Sequence, residues 1–185
     1  ENQSRVTPVD VSPRRLAAPF TLRLPAPLMA EPTKFDIVSR MDRAARGVDP
    51  RIVSVRVEYA DEVRDVLIAT SDGSFILDRQ YLLTVTCQPT AVAGGQRRMG
   101  FASLGGRVDE DYLARVTPEA TAQKAARQAI TLLSAGPAPA GPMPVVIGPG
   151  WGGVLIHDSL GHASEGDGVR RGTSLLAGKL GSVIA

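Results

Sequence analysis

The chain carries two histidines in 185 residues, and both fall in one short run, His157-Asp158-Ser159-Leu160-Gly161-His162. Two histidines placed at random would rarely land so close. Imidazole is the commonest protein ligand for transition metals, so a pair on one element can hold one ion. The alternative is two unrelated histidines on a surface or in a core. The spacing is i, i+5. On an ideal helix five residues turn the chain by ~500°, which leaves the second ring ~140° off the face of the first. Convergence therefore requires a widened turn, and a π-bulge is the form such turns take at functional sites. Gly161, beside His162, is expected to ease that distortion.

Carboxylates surround the pair. Asp158 lies inside the run, and Glu165 and Asp167 follow it. Each could act as a base, a ligand or an orienting partner, or Glu165 and Asp167 could simply lie in a solvated loop. Zinc hydrolases usually present three protein ligands and leave one position for water. Within this chain the third ligand could be Glu165, Asp167 or, more distantly, Cys87. Cys87 sits in a strand pattern, where a thiol more often serves as a small buried hydrophobe.

The elements that must position these groups can be read outward from them. Trp151 to Ala163 is expected to be a helix. It follows a short apolar strand, Met143 to Gly148, and a Gly148-Pro149-Gly150 turn. Upstream, Thr117 to Ala135 reads as a helix with Thr117 as N-cap, Pro118 at its first position and a stripe of Ala122, Ala125, Ala126, Ala129, Ile130 and Leu133. Its alanines imply close packing on a sheet. Arg51 to Arg107 reads as an antiparallel meander. Val53, Val55, Val57 and Tyr59 alternate with polar residues, Asp61-Glu62 and Asp72-Gly73 mark turns, and Gly94-Gly95 marks another. Met99 to Leu104 is the last strand. Glu31 to Arg46 is a helix with an apolar stripe of Ile37, Val38, Met41, Ala44 and Ala45, closed by Gly47. Residues 1–30, punctuated by Pro8, Pro13, Pro19, Pro25 and Pro27, form an extended arm. The expected fold class is α+β: an antiparallel sheet with packed helices, followed by a strand and the motif-bearing helix. The expected divisions are 1–30, 31–142 and 143–185.

Composition narrows the function classes. Hydrophobic residues make up 43% and charged residues 22%, which is ordinary for a globular chain. The net charge of +2 comes from 21 basic and 19 acidic residues, so no basic face built for phosphates is implied. Aromatic residues are only 4%, which argues against a base-stacking platform for nucleic acid. No apolar run reaches the ~18 residues of a membrane span, and no apolar leader opens the chain. A single cysteine excludes an intramolecular disulfide and suits a reducing compartment.

The run from Gly148 to His162 resembles the core of the TldD/PmbA (TldD/TldE) metallopeptidases, whose signature H-E-x-x-x-H has the same i, i+5 histidines. Glu165-Gly166-Asp167, Arg170-Arg171-Gly172-Thr173-Ser174, Gly178, Gly181 and Ala185 continue the likeness. Ala138 to Val146 and the helix from Glu31 match in kind, so the resemblance covers the chain from about residue 30. It points to the TldD-type subunit, because TldE-type partners lack the histidine motif. The resemblance implies a cytoplasmic, zinc-dependent peptidase that degrades unfolded peptides, matures ribosomally made peptides and removes antitoxin. It implies a TldE/PmbA-like partner subunit, with a substrate tunnel between the two, or pairing with a second copy. Carried over by position, His157 and His162 would bind zinc, and Asp158 stands where the water-activating Glu belongs. A cysteine from the family's C-terminal domain would complete the ligands.

Three departures qualify this expectation. Asp158 replaces Glu, shortening the carboxylate's reach by ~1.5 Å, and a 1 Å misplacement can cost ~10²-fold in rate. The C-terminal domain with its cysteine and most of the N-terminal domain are absent, so the chain is expected to be a piece of a longer protein. The alternative reading is a non-catalytic homologue that binds peptide or a partner subunit. Nucleic-acid binding through Arg97-Arg98 and Arg170-Arg171 is the weakest reading, since short arginine pairs on loops are usually solvated charge.

Overall fold

The computed structural model describes residues 14–15, 22–71 and 73–184. Most of the proline-rich arm, Asp72 and Ala185 lie outside the described residues. The chain divides into two compact units, Glu1–Pro137 and Ala138–Ala185.

The first unit is an α+β layer built on one long hairpin. Strands β2 (Ile52–Ala69) and β3 (Phe75–Ala93) pair antiparallel along their full length, from Ile52 opposite Ala91 to Ala69 opposite Phe75. The other edge of β3 is shared by three short strands. β1 (Arg14–Arg15) pairs parallel at Ile76 and Leu77. β5 (Ala102–Gly106) pairs antiparallel from Leu83 to Cys87, and β4 (Gln96–Met99) from Thr90 to Ala93. Helices α1 (Glu31–Arg46) and α3 (Pro118–Leu133) cover one face, and a short α2 (Glu110–Arg115) precedes α3.

The core lies between helices and sheet. Ile37, Met41 and Ala45 of α1 meet Ala122, Ala126 and Ala129 of α3 over Leu83, Val85, Cys87 and Ala91 of β3. The small α3 residues let its backbone come close. Gly100, at the junction of β4 and β5, has no room for a Cβ, which would run into the carbonyl of Ala125. Arg40 ties the two helices together, reaching Asp36 at 2.9 Å and Glu119 at 2.8 Å. The described end of the arm rests on this unit. Ala26 is fully buried, and its N–H donates to Val108 O at 3.2 Å.

Several local expectations are corrected. Asp61-Glu62 is not a turn but mid-strand, opposite Leu83 and Leu82. Its two acids are accommodated by cations, Lys34 Nζ at 2.5 Å from Asp61 and Arg64 at 2.9 Å from Glu62. Val53 is exposed, because a register irregularity between Ile52 and Ser54 turns Ile52 into the core instead. The strand expected from Met99 to Leu104 is broken in two. Gly100 N–H donates to Pro89 O at 3.0 Å, but proline has no N–H to return the bond, and the ladder is interrupted there. Thr117 does precede α3, but its side chain makes no capping bond. Instead Asp109 caps α2, an element the sequence reading missed, accepting from Tyr112 N–H at 3.2 Å. Gly47 follows α1 with φ −69°, so its left-handed freedom is not used.

In the second unit, Met143 to Gly148 forms no strand. A strand needs a partner for its backbone groups, Pro142 and Pro144 remove donors at its start, and Val145 and Val146 lie exposed. None of the described residues in 138–184 is buried.

Candidate metal centre

The motif sits on one continuous helical segment that changes pitch. It begins as α4 (Gly152–Ile156), widens into a π turn over His157–Gly161, and tightens to a 3₁₀ turn over His162–Ser164. The His162 N–H donates to His157 O, the i to i+5 bond of the widened turn. That turn is what brings the rings onto one face. The His157 and His162 ring centroids are 4.5 Å apart, edge to face at 64°.

Gly161 contributes through its missing side chain rather than through backbone freedom. Its φ of −60° and ψ of −54° suit any residue. A Cβ there would lie 3.0 Å from His157 Nδ1, so glycine makes the space in which that ring lies. The backbone around the motif is pinned by hydroxyls. Ser159 donates to Leu155 O at 2.6 Å, Ser164 to Leu160 O at 2.8 Å, and Ser174 to Ala163 O at 2.5 Å. A following helix, α5 (Gly166–Arg171), closes on the left-handed Gly172.

Asp158 joins the histidines. One ligand atom from each of His157, Asp158 and His162 lies within 4.8 Å of the others. Asp158 Oδ1 is 3.8 Å from His162 Nε2. Ligand bonds of ~2.0–2.2 Å from nitrogen and oxygen let one zinc-sized ion reach all three with small side-chain movements, so the donor set fits the metal. All three residues are exposed.

The other sequence candidates separate. Glu165 accepts from or shares a proton with His162 Nδ1 at 2.7 Å, on the far side of that ring from Asp158. Asp167 is paired with Arg171 at 2.9 Å. Cys87 belongs to the core of the first unit, fully buried. Burial, reinforced by the negative charge of Asp42, pushes its thiol up to about 11. The neighbours of Cys87 in that core are apolar side chains, not metal-ligating groups.

Residues 25–133 match the PmbA/TldA metallopeptidase central domain. Residues 140–185 match the C-terminal domain of the same enzymes, so the chain carries part of that domain rather than lacking it, as was expected from the sequence. The chain belongs to the PmbA/TldD metallopeptidase family. It is 35% identical over 165 residues to a metalloprotease TldD homolog of Haemophilus influenzae, an alignment covering 86% of this chain and 34% of the relative. A metalloprotease of Methanothermobacter thermautotrophicus is 35% identical over 152 residues, covering 82% of this chain and 33% of the relative. The chain therefore spans about a third of the length of these relatives. A Thermotoga maritima crystal structure, whose name links it to modulation of a DNA gyrase, superposes with a TM-score of 0.70 at 22% identity. That likeness covers 90% of this chain and 37% of the other, and it bears on the fold alone. Among the described residues no helix is long and apolar enough to cross a membrane.

Proposed function

We propose that this chain is the metal-bearing part of a TldD-type, zinc-dependent peptidase that acts in the cytoplasm on unfolded or extended peptides. The supporting observation is the convergence of His157, Asp158 and His162 across one π turn, with ligand atoms within 4.8 Å of one another. Imidazole nitrogens with a carboxylate suit zinc. His157 and His162 would hold the ion, and a third ligand would come from chain outside these 185 residues. Zinc, when bound, would polarise a scissile carbonyl and lower the pKa of water toward ~7.

The chain's own residues then have distinct tasks. His157 and His162 fix the position of the centre on a helical segment rather than a loop. Asp158, next to His157, would take the proton from the attacking water and return it to the leaving amine. Its short side chain keeps Oδ1 within 3.8 Å of His162 Nε2, so it competes for the ligand position. That same closeness favours a second reading, a homologue that keeps the fold and binds peptide or a partner without cleaving. A TldE/PmbA-like subunit or a second copy would be the partner.

The test is zinc content and cleavage of unfolded peptides by the full-length protein, compared with His157→Ala and Asp158→Glu. The peptidase reading expects near-stoichiometric zinc that His157→Ala abolishes, and cleavage that Asp158→Glu raises by up to ~10²-fold. Zinc without cleavage in either the wild type or Asp158→Glu would transfer the case to the binding role. No zinc in the full-length wild type would overturn the metal reading.

A further inference from the structure

We infer that Glu165 is a positioning residue for the metal centre: by accepting the Nδ1 proton of His162 it fixes the ring's tautomer and turns Nε2 toward His157 and Asp158. The inference rests on the metal reading above and adds a residue outside the motif to it.

The geometry leaves little freedom. Glu165 Oε1 lies 2.7 Å from His162 Nδ1, a charge-assisted distance. An ionised carboxylate can only accept, so a neutral His162 must carry its proton on Nδ1. The other nitrogen, Nε2, is then a bare lone pair, and it is the one 3.8 Å from Asp158 Oδ1. A metal-binding histidine needs this arrangement, with the second nitrogen held by a carboxylate or carbonyl. Without Glu165 the ring could place its proton on either nitrogen and turn about its χ2.

Glu165 is itself held in place. Its N–H donates to His162 O at 3.3 Å, and its carbonyl accepts from Val169 N–H at 3.0 Å. It is the residue at which the 3₁₀ turn ends and α5 begins, with extended φ −62° and ψ 125°. That change of direction carries its side chain back to the ring. A stability role does not account for the pairing. Both side chains are more than half exposed, and exposed ion pairs contribute little to folding.

The experiment uses the full-length protein. Zinc affinity is measured by chelator competition for the wild type, Glu165→Ala and Glu165→Gln, with thermal melting of the metal-free forms alongside. Glu165→Ala should weaken zinc binding ~10–100-fold with little change in melting, and Glu165→Gln, which keeps an acceptor oxygen, should recover part of the loss. An unchanged affinity in Glu165→Ala, with zinc bound by the wild type, overturns this inference and leaves the metal reading standing. A wild type that binds no zinc overturns both. The second measurement is ¹⁵N NMR of the metal-free wild type at a pH where the ring is neutral. His162 should be the Nδ1–H tautomer. An Nε2–H tautomer there overturns the inference even if the variants fail to fold.

Discussion

The two units of this chain solve opposite problems. Residues 26–129 supply every buried hydrophobic side chain among the described residues, whereas 138–184 bury none. In the first unit position is decided by packing. Leu83, Val85 and Cys87 on β3 can lie only where α1 and α3 leave room for them. In the second unit position is decided by local backbone bonds, the i to i+5 bond of the π turn and the three serine hydroxyls around it. The pitch of one helical segment is enough to bring the two rings within 4.5 Å of each other.

Substitutions can break this contrast, and the largest effect belongs to the core. Met41 is fully buried between the helices and the sheet. Met41→Ala should cost about 2–5 kcal/mol in chemical denaturation. Exposed Val146→Ser should stay within ~0.5 kcal/mol. Comparable losses from the two would erase the distinction between the units.

Next comes close backbone approach. Gly100→Ala puts a methyl against Ala125 O, and α3 must lift from the β4–β5 junction to admit it. Overpacking of this kind costs roughly 1–3 kcal/mol, measurable as a lowered melting temperature. Gly161→Ala is its counterpart in the second unit. Here the methyl meets a ring at 3.0 Å instead of a backbone. Alanine gains up to ~1 kcal/mol of helix propensity over glycine, so melting should hold steady or rise. Zinc affinity should nevertheless fall several-fold as the His157 ring tilts, read by chelator competition. A loss of stability without a loss of affinity would show that Gly161 serves the helix and not the ring.

The smallest effect sharpens the comparison at the surface. The Arg51 side chain and N–H hold the Asp49 carboxyl down to about 2. A depressed carboxylate stabilises the fold above its unfolded value and loses that contribution as the pH falls through its folded one. Asp49→Asn should therefore melt slightly below the wild type at pH 7, and the gap should close as the pH approaches 2. A gap that widens in acid would mean that another group is responsible. The effect should be small, since the pair is exposed and screened.

How far the sequence reached differs between elements. Both long helices were legible because each carries an apolar stripe of period 3.6 over sixteen residues, and Ile37, Met41, Ala45, Ala122, Ala126 and Ala129 are buried as that stripe requires. The strand pairing was legible only in outline. Asp61-Glu62 has turn composition, yet the continuous partner β3 carries the strand through it. Met143 to Gly148 has strand composition but no partner among the described residues, and it forms no strand here. In the candidate site, spacing alone demanded a widened turn, and the structure has it at His157–Gly161. The use of Gly161 and the pairing of Glu165 with His162 were not legible, since both depend on where a ring points.

The sequence by itself determined the helices, the hairpin at Gly94-Gly95, the α+β class and the run His157 to His162 that holds the candidate metal ligands. Those are set by periods and residue types that act over a few neighbours. Only the tertiary structure decided that β2 runs unbroken, that β4 and β5 are separate strands divided where Gly100 meets Pro89, and that Cys87 lies in the core. Each of these turns on what another, distant segment offers in hydrogen bonds or in space, and a local pattern carries no record of its partner.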